Sequence, residues 1–67
     1  MMPLVEIHLL KGRTKKQKKA LLEAVTRAVQ ESLNIPLETV RVWIQEIPPD
    51  EFMRGGHLAS EKTRKKK

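Results

Sequence analysis

Residues Leu4 to Leu10 alternate, with Val5, Ile7 and Leu9 on one side and Leu4, Glu6, His8 and Leu10 on the other. A period of two with one apolar face predicts a strand packed on that face. Gly12 breaks the alternation. Thr14 and Gln17 then have the spacing of a capping box, in which a hydroxyl and an amide satisfy free backbone N–H groups. From Lys15 to Leu33 the period becomes helical. Leu21, Leu22, Ala24, Val25, Ala28, Val29, Ser32 and Leu33 project to one side, and Glu23, Thr26, Arg27, Gln30 and Glu31 to the other. Asn34 suits a left-handed stop, and Pro36 bars continuation. Thr39 to Ile47 alternates again, with Val40, Val42 and Ile44 opposite Arg41, Trp43 and Gln45, until Pro48-Pro49-Asp50 ends it. Gly55-Gly56, within Glu51 to Leu58, predicts a tight turn and a short hairpin.

A helix of this length spans about 28 Å at 1.5 Å per residue, enough to return the chain for a parallel, right-handed crossover. The expected fold is therefore α+β: a single β-α-β unit with a short C-terminal hairpin around a parallel two-stranded core. One helix covers one sheet face. The other face still carries Leu4, Leu10 and Trp43, and both sheet edges stay open. A core this small supplies no more than about 3–5 kcal/mol, so the fold is expected to be completed by oligomerisation.

Length and composition narrow the classes. The chain has 67 residues, no cysteine, and two histidines, His8 and His57, that make no ligand-spaced motif. Disulfide scaffolds and thiolate metal clusters are excluded. No apolar run approaches the roughly 20 residues that span a bilayer, and no signal-peptide core opens the chain. The expectation is a cytoplasmic domain at residues 3–60 that meets no membrane and needs neither metal nor cofactor. The net charge of +6 is concentrated at its edges. Lys11, Arg13, Lys15, Lys16, Lys18 and Lys19 form one acid-free stretch. Residues 61–67 read as a basic, disordered tail.

Candidate chemistry is sparse. With only Ser32 and Ser60 as hydroxyl nucleophiles of that kind, no strained elbow or oxyanion site for acyl transfer is visible. No glycine-rich phosphate loop is present. His8 reads as structural and His57 as a turn residue. Pro3 before the first strand protects an edge, having no N–H to donate, and an arginine on a strand such as Arg41 ordinarily snorkels or pairs with a carboxylate. Taken singly, none of these residues signals catalysis.

Taken in order, they resemble a family. The opening Pro3-Leu-Val-Glu-Ile-His-Leu-Leu is followed by Lys11-Gly12-Arg13-Thr14 at the helix start. Ile35-Pro36-Leu37, Val40-Arg41-Val42, and Phe52 before Gly55-Gly56-His57-Leu58-Ala59 complete the set. Over Pro3 to Ala59 the chain resembles the 4-oxalocrotonate tautomerase family of the tautomerase superfamily. The resemblance implies a cofactor-independent isomerase, a keto–enol tautomerase for a small unsaturated 2-oxo acid such as 2-hydroxymuconate. It implies that Pro3, as mature N-terminus, is the general base. An apolar pocket and nearby cations disfavour a protonated amine and bring its pKa toward neutrality. Arg13 is implied to hold the distal carboxylate, and Arg41 to bind and stabilise the 2-oxo end as charge develops. Phe52 is implied to wall the pocket. Arg13 and Arg41 of one site are implied to come from different subunits of a homohexamer, a trimer of dimers. Arg54 departs from the apolar residue expected there, which argues against a hydratase or dehalogenase carboxylate, while Glu51 keeps that branch open. The lysines from Lys15 to Lys19 are a solvated face or a field that steers dianions toward Arg13.

The start of the chain sets a condition. Removal of an initiator methionine needs a small second residue, so Met1 before Met2 is expected to persist, leaving the Pro3 nitrogen a non-basic amide. Translation begins at Met2, Met1 is extraneous, or the chain is inactive as written. Three readings follow: the isomerase, a fold relative with a blocked amine, and a basic oligomeric module binding nucleic acid or acidic partners through Lys11–Lys19 and Lys62–Lys67. Against the last stands the scarcity of aromatics, Trp43 and Phe52 alone, for stacking bases.

Overall fold

The computed structural model describes residues 2–61. Strand β1 (Leu4–Leu10) leads into helix α1 (Lys15–Leu33), a one-turn 3-10 helix at Leu37–Thr39, and strand β2 (Arg41–Ile47). A second 3-10 turn at Pro49–Glu51 precedes the hairpin strands β3 (Met53–Arg54) and β4 (His57–Leu58). The β-α-β unit and the terminal hairpin match the expectation. β1 and β2 pair in parallel from Leu4↔Arg41 to Leu10↔Ile47. The second strand begins two residues later than its alternation predicts, because Thr39 closes the preceding turn: its amide and hydroxyl both donate to the Pro36 carbonyl, at 3.1 and 2.7 Å.

The helix boundaries follow their local chemistry. The Thr14 hydroxyl accepts from the Gln17 amide at 3.1 Å, and the Gln17 side chain accepts from the Thr14 amide at 3.0 Å. Both halves of the capping box are made. At the other end Asn34 takes φ 55°, ψ 55°, the left-handed stop, and its amide reaches the Gln30 carbonyl.

The inner stripe of α1 is rotated from the expected one. Lys18, Leu21, Leu22, Val25, Thr26, Val29 and Gln30 are partly covered, while Ala24, Ala28, Ser32 and Leu33 face outward. Thr26 sits on the covered side because its hydroxyl folds back onto the Leu22 carbonyl at 2.7 Å, satisfying its own polar atom. Lys18 sits there because its ammonium meets Glu46, on the helix-facing side of β2, at 2.9 Å.

Beneath the helix lie Val5, Ile7, Leu9, Val42 and Ile44, all half-buried, and among the described residues only Val40 is buried, with 9% of its surface still accessible. The opposite sheet face carries the rungs Leu4–Arg41, Glu6–Trp43 and His8–Gln45 and is exposed. Leu4 is 65% and Trp43 42% accessible. Fully removing such a side chain from water is worth about 1.5–3 kcal/mol, so part of the apolar stabilisation available to this sheet is not realised within one chain. Among the described residues, no helix is long and apolar enough to cross a membrane. The basic tail lies, apart from Glu61, outside the described residues.

Candidate active site

Pro3 extends β1 by one residue at the start of the sheet, level with Val40, and is half-buried. The Arg41 amide donates to its carbonyl at 3.1 Å, so the parallel ladder itself holds Pro3 beside Arg41. The Arg41 side chain lies on the open sheet face next to Leu4. Its Nη1 donates to the Glu38 carbonyl and, at 3.4 Å, to the Val40 carbonyl. These contacts anchor one nitrogen of the fork. A guanidinium carries five N–H donors, and Arg41 pairs with no carboxylate among the described residues. The fork keeps capacity for an anion.

Arg13 and Phe52 lie at the other end. The ladder closes there with the Lys11 amide on the Ile47 carbonyl at 3.0 Å. Gly12, at φ 135°, then turns the chain toward the helix, a conformation a side chain would disfavour. Arg13 emerges from this turn, exposed, over a shallow cleft of about 220 Å³ that it shares with Leu9, Gln17 and Leu21. Phe52, 41% exposed, lines an open cavity of about 550 Å³ with Leu10, Arg54 and His57. The hairpin shapes that cavity: Gly55 and Gly56 take φ 59° and 92°, and Arg54 pairs with His57 across the turn.

The structure therefore brings together Pro3 with Arg41 and separates both from Arg13 and Phe52. The strand between the two ends has seven residues, roughly 23 Å at 3.3 Å per residue, beyond the reach of any side chain. A single chain therefore presents the candidate residues in two groups, at opposite ends of one sheet. Arg54, set aside by the sequence reading as a departure, shares the Phe52 cavity. Its signal was the spacing: residues two apart on an extended segment face the same way. Lys18, read there as part of a solvated face or a steering field, instead pairs with Glu46 at 2.9 Å. Among the described residues no three His, Cys, Asp or Glu side chains gather as a metal site.

Comparison with known proteins gives a consistent answer. A family model described as tautomerase enzyme matches residues 3–62. The 2-hydroxymuconate tautomerase of Pseudomonas putida is 43% identical over 60 residues, covering 90% of this chain and 95% of the relative. A 4-oxalocrotonate tautomerase isozyme from Methylibium petroleiphilum superposes with a TM-score of 0.81 at 44% identity, covering 85% and 92% of the two chains. A heterohexamer 4-oxalocrotonate tautomerase from Chloroflexus aurantiacus J-10-fl superposes with a TM-score of 0.83 at 38% identity, covering 91% and 97%.

Proposed function

The chain belongs to the tautomerase family and is an isomerase of the 4-oxalocrotonate tautomerase type, and we propose that it interconverts the enol and keto forms of a small unsaturated 2-oxo acid such as 2-hydroxymuconate. The unit at residues 3–60 carries the reaction. The secondary amine of Pro3 takes the proton of the 2-hydroxyl group and returns it to carbon, at C3 or C5, so that the proton count is unchanged and no cofactor enters. Arg41, on the rung next to Pro3, holds the 2-oxo end and stabilises the oxygen on which negative charge develops. Arg13 of a second chain grips the distal carboxylate with its fork. Phe52 supplies an apolar wall that keeps water from the amine.

The observation that carries this reading is the pairing of Pro3 with Arg41 on adjoining strands, at the end of the sheet where the strands begin. The division into two half-sites adds an assembly to the proposal. Copies must meet so that the Pro3 end of one chain faces the Arg13 end of another, and the exposed sheet face with Leu4 and Trp43 is the surface they would bury. A homohexamer built as a trimer of dimers satisfies both demands. A cytoplasmic location belongs to the same reading, in keeping with a small domain that has none of the disulfides secreted ones rely on.

The amine is basic only when Pro3 is the first residue. Intact mass and N-terminal sequencing of the purified protein, followed by an ultraviolet assay of 2-hydroxymuconate ketonisation, test the proposal. Protein beginning at Pro3 should turn over, and Pro3→Ala should lose about 10²–10⁴-fold in kcat. Undiminished turnover by protein that retains Met2, or none by protein beginning at Pro3, would refute it.

A further inference from the structure

Arg54 has no role in the reaction as described so far, yet it occupies the same cavity as Phe52. Phe52 is extended, at φ −120°, ψ 119°, and its carbonyl accepts from the Ala59 amide at 2.8 Å. The ladder continues through Met53↔Leu58 and Arg54↔His57. Phe52, Arg54, His57 and Ala59 consequently share one face of the hairpin, and all four line the cavity. The turn keeps them there, because both glycines hold left-handed dihedrals suited to a two-residue hairpin loop.

The charge in this cavity is uneven. Glu61 is its one carboxylate among the described residues, and its Oε1 accepts from the Leu58 amide at 3.1 Å. Arg54 forms no ion pair among the described residues. An uncommitted guanidinium beside an aromatic wall, in a cavity of about 550 Å³, provides a fork for an anion and apolar contact for the carbon chain that bears it. Because Arg54 and Phe52 share one face of a single hairpin, Arg54 accompanies Phe52 into whichever site Phe52 completes.

We propose that Arg54 is a specificity-determining residue: together with Arg13 it holds the distal carboxylate of a dianionic substrate and makes the site select unsaturated dicarboxylates over monocarboxylates. The inference rests on the reading given above that Phe52 walls the site and that Arg13 grips the distal carboxylate in it. It places two guanidinium groups at the non-reacting end of the substrate and one, Arg41, at the reacting end.

Wild type, Arg54→Gln and Arg54→Lys, all verified to begin at Pro3, should be compared on 2-hydroxymuconate and on the monocarboxylate 2-hydroxy-2,4-pentadienoate. The ratio of kcat/KM for dicarboxylate over monocarboxylate should fall about tenfold in Arg54→Gln through KM, and Arg54→Lys should recover part of it, keeping the charge but not the fork. An unchanged ratio overturns the proposal. Calorimetric binding of two unreactive dienes, muconate and sorbate, separates this failure from failure of the proposed reaction. If wild type prefers muconate and Arg54→Gln loses that preference, the assignment of Arg54 stands even in protein without turnover. If the preference survives in Arg54→Gln, the assignment falls however active the enzyme is.

Discussion

The backbone amide of Arg41 donates to the carbonyl of Pro3 at 3.1 Å, tying the residue ahead of the first strand to the opening residue of the second. The bond belongs to the sheet ladder and is independent of either side chain. Substitutions at these two positions can therefore test chemistry while leaving the geometry of the pair in place.

For Arg41 the expected outcome is a catalytic loss with little loss of stability. Among the described residues its guanidinium hydrogen-bonds only to the Glu38 and Val40 carbonyls, the first exposed and the second part-buried. Arg41→Ala should lower kcat about 10²–10³-fold, while urea unfolding at fixed protein concentration moves by no more than about 1 kcal/mol. Arg41→Lys should remain impaired, since an ammonium cannot reproduce the fork. Steady-state kinetics beside urea titration checks both halves.

Trp43 reports assembly. It stands on the exposed sheet face opposite Glu6 and is 42% accessible in the single chain. If that face is the subunit contact, tryptophan emission should shift to shorter wavelength as protein concentration rises through the assembly range. Trp43→Glu should leave smaller species in sedimentation velocity and abolish turnover, because the Pro3 and Arg13 half-sites would no longer meet. Full activity in a monomeric variant would contradict the two-chain site.

Lys18 and Glu46 join the first turns of the helix to the end of β2, at 2.9 Å with both side chains about three-quarters covered. A double-mutant cycle with Lys18→Met and Glu46→Gln should give a coupling of about 1 kcal/mol, at the upper end for surface pairs because solvent is partly excluded. Raising salt should weaken it only modestly. Unfolding experiments on the four proteins supply the measurement.

Thr14 begins the helix immediately after Arg13. Thr14→Ala removes the hydroxyl that accepts from Gln17 and should cost about 1 kcal/mol in urea unfolding. Loosening that turn should also raise KM for dicarboxylic substrates, because Arg13 is positioned by the capped helix start. Unaltered KM would separate helix stability from placement of Arg13.

Much of the fold was legible because its signals are local. Alternation at Val5, Ile7 and Leu9, the Thr14–Gln17 box, and the Asn34 stop each depend on residues a few positions apart, and all three appear where expected. The Gly55-Gly56 turn was legible for the same reason. What the pattern misjudged was the side of the helix that meets the sheet. Hydropathy placed Ala24, Ala28 and Leu33 inward, but helix rotation is a tertiary property. The face that meets the sheet also takes in Lys18, paired with Glu46 across 28 positions, and Thr26, which satisfies its own hydroxyl; hydropathy weighs neither.

The candidate site divides in the same way. Residue types and order marked Pro3, Arg13, Arg41 and Phe52 through their resemblance to a family, because a motif records chemistry without needing distances. Only the folded chain decided which of them are neighbours. Parallel pairing brings Pro3 to Arg41 across 38 positions, and the length of β1 keeps Arg13 and Phe52 at the far end. It also decided that Arg54 shares a cavity with Phe52, since a hairpin turn places side chains by strand register. By itself the sequence determined the elements and the chemical groups, which follow from local dihedral preference and residue type. Tertiary structure alone decided their partners, because proximity in this protein comes from strand pairing between segments far apart in the chain.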